Sequence, residues 1–249
     1  NRPGEFKADR NGIQRVWMDH GYWPVLTIWQ YIQQTGDIEI LLRVAPFFQD
    51  GLGMRGTQRN AIQADRSCTG TVAEHMLLEQ LTAFCEAGEH SLLRLRDADW
   101  NDALDMAPQR GESGAFTSAY AGSMVLLAKM LETLQQTGKC NSLTLPRRFE
   151  ILLGEEDNWA SIASRREKLN RFCAQCIQIP DDDRIQIPLD KIVRHLDLCA
   201  DTLKAIIREK AWIQTEQDGW FNSYYDNHGI PLECGVPGQE RMMLTGQVF

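Results

Sequence analysis

The chain has 249 residues, 43% of them hydrophobic and 24% charged, with seven Trp, nine Phe and five Tyr. That length reads as one large domain or two small ones, and so many apolar anchors exclude wholesale disorder. Lys plus Arg total 26 against 34 Asp plus Glu, a net charge of −8, which argues against nucleic acid as a partner.

No run of about 18 apolar residues is available to span a membrane. The start, Asn1-Arg2-Pro3-Gly4, has no apolar signal core and no Met, so it is read as processed or as a cut inside a longer chain. The seven cysteines, at 68, 85, 140, 173, 176, 199 and 234, do not form a disulfide framework. They imply a reducing, cytoplasmic compartment.

In chain order, the first dozen residues read as loop. From Tyr22, apolar residues at helical spacing (Val25, Leu26, Ile28, Trp29, Ile32) predict a helix that Gly36 ends. Asp37 is expected to cap a second helix through Ile38, Leu41, Val44 and Phe47-Phe48. Residues 49–67 read as a long structured loop. Thr69 or Thr71 starts a third helix that stops at Gly88, and residues 91–95 read as short and extended. Residues 97–112 read as loop, and residues 116–136 as a long helix closed by Gly138.

Two more helices are predicted over about 157–177 and 189–213, with Asp181-Asp182-Asp183 as a solvated turn between them. Cys173 and Cys176 form a CxxC inside the first of these, where they read as half-buried helix residues. From Gly219 the pattern changes to strand, turn, strand over Trp220–Tyr225 and Asp226-Asn227-His228-Gly229. The fold is therefore expected to be all-α, built of helical hairpins, with a small β-hairpin element near the C-terminus.

The densest chemical signal is Arg96-Asp97-Ala98-Asp99-Trp100-Asn101-Asp102-Ala103-Leu104-Asp105. Aromatic faces stack on sugar rings, and carboxylates and amides hydrogen-bond vicinal hydroxyls. A carboxyl beside a Trp can also hold its proton near neutral pH, as a general acid on a glycosidic oxygen must. On composition alone an acidic capping loop, with Asp102 or Asp105 at a helix N-terminus, fits equally well.

Asp99-Trp100-Asn101-Asp102 followed by Arg110-Gly111-Glu112-Ser113 resembles the catalytic segment of the inverting disaccharide and oligosaccharide phosphorylases. These are the cellobiose and chitobiose phosphorylases of glycoside hydrolase family 94 and related β-glucan phosphorylases. Four further segments agree in order: Asp19-His20-Gly21-Tyr22-Trp23-Pro24 with its following helix, Glu74-His75 with Gly88-Glu89-His90, Asp218-Gly219-Trp220-Phe221, and Leu244-Thr245-Gly246-Gln247.

The resemblance implies an (α/α)6 barrel, of which residues 1–249 would be a central part, incomplete at both ends. It implies Asp102 as general acid, Trp100 against the sugar, and inorganic phosphate as nucleophile. Asp99, Asn101, His20 and Glu240 become candidate sugar ligands, and Gln247 and Arg110 candidate phosphate ligands. The implied substrates are a β-linked glucooligosaccharide and phosphate, with no cofactor and with a homodimer as the candidate assembly. Ala98 and Ala103 stand where cellobiose phosphorylases tend to have Gly, which favours a related β-glucan phosphorylase.

His20, His75 and His90 each adjoin an acid (Asp19, Glu74, Glu89), but they lack the spacing of a metal site, and no metal is expected. An inverting hydrolase on the same scaffold, or a carbohydrate-binding helical module without turnover, is the alternative reading.

Overall fold

The helix that opens the described part of the chain begins just after a 3₁₀ turn, Met18–Gly21, and runs over Tyr22–Thr35 (α1). Gly36 ends it with φ of 71°, and its N–H returns to the Ile32 carbonyl, a conformation that a side chain would strain. The computed structural model describes residues 18–48, 64–96, 99, 107–154, 159–178 and 183–248.

Helix α2 spans Val72–Cys85, and Thr71 caps it by accepting the Glu74 N–H (3.1 Å). Helix α3, Gly114–Gln136, is capped in the same way by Ser113 on the Phe116 N–H (3.1 Å). A short helix α4 (Phe149–Leu152) precedes α5 (Ile162–Gln178), α6 (Leu189–Lys210) and the single turn α7 (Thr245–Val248). The fold is mainly α-helical, compatible with part of an (α/α)6 barrel. Among the described residues no helix is long and apolar enough to cross a membrane.

Helices α3 and α6 pack antiparallel. The Leu189 N–H at the start of α6 reaches Asn141, just beyond the end of α3, while Ala211 at its far end receives the Asn222 N–H. Residue 223 in turn accepts the N–H groups of Gly114 and Ala115 at the start of α3. The start of α1 lies at this same end, because Tyr22 and Trp23 meet Phe116 edge-on. Between the helices lies one main core, with Leu77, Leu81, Phe84, Met124, Leu127, Leu131, Leu196 and Leu203 all buried. Burying a Leu side chain stabilises by about 1.5–3 kcal/mol, so these positions hold the array together.

The sequence expectation fails at several joints. Residues 38–48 are not a helix: a 3₁₀ turn, Ile38–Leu42, gives way to strand β1, Val44–Phe48. Pro46 has no N–H to continue a helix, and β1 instead pairs antiparallel with β2, Ala64–Thr71, in the register Val44↔Thr71. Asp37 does not cap; its carboxylate accepts from Tyr31 Oη (2.9 Å) and Arg43 (2.8 Å).

Strand β5 (Ser142–Pro146) pairs with β6 (Arg184–Pro188), a ribbon absent from the sequence reading. Helix α2 stops at Cys85 rather than Gly88, and α6 at Lys210 rather than 213. The residues beyond α6 form a hairpin of β7 (Trp212–Gln214) with β8 (Gly219–Phe221). The expected strand over Trp220–Tyr225 is therefore split, because Tyr224–Tyr225 (β9) joins a different sheet. The start expected for the fifth helix, Asp157, and the Asp181-Asp182 part of the acidic turn lie outside the described residues, as does the side chain of Cys176. Cys173 is half-buried on α5, as expected.

Candidate active site

Strands β3 (Leu93–Arg94) and β4 (Glu112–Ser113) pair antiparallel, and the Leu95 N–H extends the ladder to the Gly111 carbonyl (2.9 Å). The acidic motif is thus carried in the long connection of a β-hairpin. At one root of that connection Arg96 adopts φ of 59°, a left-handed conformation uncommon for a residue with a Cβ. At the other root the Gly111 N–H bonds Ala107, and any Cβ at Gly111 would run into that same Ala107 carbonyl.

Asp99 lies between these roots and is fully buried. Ser113 Oγ donates to its Oδ2 (2.8 Å), and Tyr224 Oη donates to its Oδ1 (3.1 Å). Burial, and then the adjoining Asp99 carboxyl, push the Tyr224 phenol far above its ordinary pKa, so it stays a donor. Asp99, a candidate sugar ligand from the sequence, is held by the cap of α3 and by β9. Trp100, Asn101 and Asp102 lie outside the described residues, as do Asp97 and Asp105.

A second buried carboxyl fixes the neck of the hairpin. Glu112 accepts the His90 N–H through both oxygens (3.0 and 3.1 Å), the Leu92 N–H (3.1 Å) and His90 Nδ1 (2.8 Å). The His90 ring stacks on Tyr225, with centroids 3.8 Å apart. His90 is therefore partnered by Glu112 rather than by its sequence neighbour Glu89, which binds Arg110. His75 Nε2 likewise faces the Ala45 carbonyl (3.2 Å), while Glu74 pairs with Arg184.

His20, half-buried in the Met18–Gly21 turn, sits at this end of the array. The turn is held from three sides: Trp23 Nε1 donates to Asp19 (2.7 Å), Tyr120 Oη to the Met18 carbonyl (2.6 Å), and Gln80 Nε2 to the Gly21 carbonyl (2.8 Å). Met18 packs against both the cluster of Leu95, Ala107 and Tyr224 and that of Ala115, Phe116 and Ala119, so the turn adjoins the frame that holds Asp99.

The remaining candidates are dispersed. Gln247 on α7 uses its amide to hold β8, accepting the Phe221 N–H (3.0 Å) and donating to the Phe221 carbonyl (2.7 Å). Arg110 forms a two-pronged pair with Glu89 (2.9 and 2.6 Å). Glu240 is exposed, in a turn closed by the Cys234–Arg241 bridge. The buried acid of that segment is Glu233, whose Oε1 accepts from Ser223 N (3.1 Å) and Oγ (2.5 Å). Ser113, Tyr224, Glu112 and Glu233 were not singled out from the sequence as site residues. Glu112 and Ser113 stood there only as part of the motif Arg110-Gly111-Glu112-Ser113, and Ser113, three positions before Phe116, has the type and spacing of a helix cap.

The described residues form a mainly helical array with a frame around the buried Asp99, made by the cap of α3 and by β9. Residues 3–140, more than half of the chain, match the family model of the glycosyl hydrolase 94 superfamily, catalytic domain, and the chain belongs to that family. It is 31% identical over 90 residues to a solabiose phosphorylase of Paenibacillus borealis, covering 36% of this chain and 10% of the relative. It is 29% identical over 134 residues to a 3-O-beta-D-glucopyranosyl-beta-D-glucuronide phosphorylase of the same organism, covering 53% and 15%. The matched regions thus span a small part of either relative's length.

Proposed function

We propose that the protein containing this chain is an inverting glycoside phosphorylase, and that residues 1–249 are a central part of its (α/α)6-barrel catalytic domain. Asp102 donates a proton to the glycosidic oxygen of a β-linked glucosyl saccharide as the bond to the anomeric carbon breaks. Inorganic phosphate attacks that carbon from the opposite face, giving an α-sugar 1-phosphate and the released sugar. Phosphate is already an anion at neutral pH, so the site needs one acid, whereas an inverting hydrolase needs a second carboxylate to activate water. Trp100 and Asn101 serve the sugar beside Asp102, with His20 on the adjoining turn.

The observation that carries this reading is the Asp99-Trp100-Asn101-Asp102 segment held at Asp99 by Ser113 and Tyr224, in a chain of this family. Asp99 acts as a positioning residue. Gln247 stands near the phosphate through the backbone of β8 that it holds. Both relatives carry names of phosphorylases, and one name specifies a β-glucopyranosyl bond, which supports a β-glucosyl donor. The test is incubation of the full-length protein with β-linked gluco-disaccharides, with and without phosphate. Sugar 1-phosphate formed only with phosphate is expected; equal release of free sugar without phosphate would make it a hydrolase, and no turnover a binding module.

A further inference from the structure

Residues 93–96 alternate Leu, Arg, Leu, Arg. Leu93 and Leu95 enter the interior, while Arg94 and Arg96 line a cavity of about 460 Å³ between the segment after α2, residues 109–110 and α5. Arg110 and Arg166 complete four arginines around it, against two carboxylates, Glu86 and Glu89. In a chain of net charge −8 this is a local reversal of sign.

The carboxylates are already engaged, Glu86 with Arg96 and Glu89 with Arg110. Arg94 donates to the carbonyls of Pro108 (3.2 Å) and Gln109, and Arg166 to that of Ala87 (2.8 Å). Among the described residues neither Arg94 nor Arg166 pairs with a carboxylate. Both residues line the cavity, and burial, then the charge of Arg166, lower the pKa of Arg94. A tetrahedral oxyanion between them would reverse that repulsion, and the planar fork of Arg suits such an anion. The volume falls in the range of small-molecule sites, about 300–1,000 Å³.

We infer that this cavity, whose lining includes none of Asp99, Ser113, Tyr224 and Gln247, binds the phosphate group of a small ligand. The group could belong to inorganic phosphate or to a phosphorylated sugar. Because Arg96 is also the left-handed root of the motif-bearing connection, a ligand here sits against the base of that loop. Binding needs no turnover, so the site stands whether or not the protein is a phosphorylase.

Calorimetric titration of the full-length protein with inorganic phosphate, and separately with glucose 1-phosphate, tests it. In Arg94→Gln/Arg166→Gln one binding event should weaken at least tenfold; identical titrations for wild type and variant would overturn the site. Glu89→Gln retains all four arginines and releases Arg110, so it keeps the test should the double variant fail to fold. It should tighten the same event several-fold, and unchanged or weaker binding counts against the site. Tighter binding of glucose 1-phosphate than of inorganic phosphate identifies a phosphate ester as ligand; equal binding identifies the free ion.

Discussion

Tyr224 Oη donates to Asp99 Oδ1 at 3.1 Å across 125 residues of sequence, and so ties β9 to the base of the motif loop. Tyr224→Phe removes that donor together with the hydrogen bond of the same hydroxyl to Thr245. It should cost about 1–3 kcal/mol, read as a lowered denaturant midpoint with an unchanged helical signal. Ser113→Ala should cost more, because it removes both the other bond to Asp99 and the cap of α3, the latter alone about 1 kcal/mol. The double variant should depart from the sum, since both substitutions act on one carboxyl.

Glu112 is fully buried, and its oxygens serve two backbone N–H groups and the His90 ring. Glu112→Ala leaves those donors without an acceptor and should destabilise by about 2–4 kcal/mol. Gly88→Ala attacks the same place from outside, because its Cβ would overlap the Glu112 carboxyl. Overpacking of this kind costs about 1–3 kcal/mol. Thermal melts of the two variants should show both losses, and a Gly88→Ala protein as stable as wild type would refute the close approach.

His195 on α6 is buried against Trp159, and burial, then Lys168 nearby, lower its pKa from 6.5 to about 4. The unfolded chain binds this proton more readily than the native one, so stability is complete above about pH 6.5 and falls as pH drops toward 4. The whole loss attributable to this group is of the order of 3 kcal/mol. Urea titrations at pH 7 and pH 4.5 should show a smaller difference for His195→Leu than for wild type; equal differences would assign the acid lability elsewhere.

Asp102→Asn keeps the shape of the side chain and removes its transferable proton. In the full-length protein kcat for phosphorolysis should fall by about 10²–10⁴-fold, with KM little changed. A glucosyl fluoride, whose leaving group needs no proton, should be affected less with phosphate as acceptor. A rise in KM alone would mean that Asp102 only positions the sugar.

Helices α1, α2, α3 and α6 were legible because their apolar spacing and caps are local: Gly36, Thr71 and Gly138 act within a turn of the residues they serve. The stretch 38–48 misled because Ile38, Leu41 and Val44 also fit helical spacing, whereas β1 depends on β2, more than a dozen residues further on. The Asp99-to-Asp102 motif stood out in the Arg96–Asp105 stretch, where residue type left a capping loop equally open and the family resemblance favoured a site. What holds it was not legible, because Ser113 and Tyr224 are ordinary residues whose role arises only when α3 and β9 meet. The acid that holds His90 was hidden for the same reason: Glu112 lies 22 positions away, whereas the adjoining acid is Glu89.

Fixing Asp99 divides a long connection into two unequal spans. Asp102 follows Asp99 by three positions, so its Cα can stray no more than about 10 Å from the pinned one. Asp102, the acid of the proposed mechanism, is therefore tethered to an anchor, Asp99, that belongs to the folded interior. On the proposed mechanism, that tether limits how far the proton donor can move from the frame made by Ser113 and Tyr224.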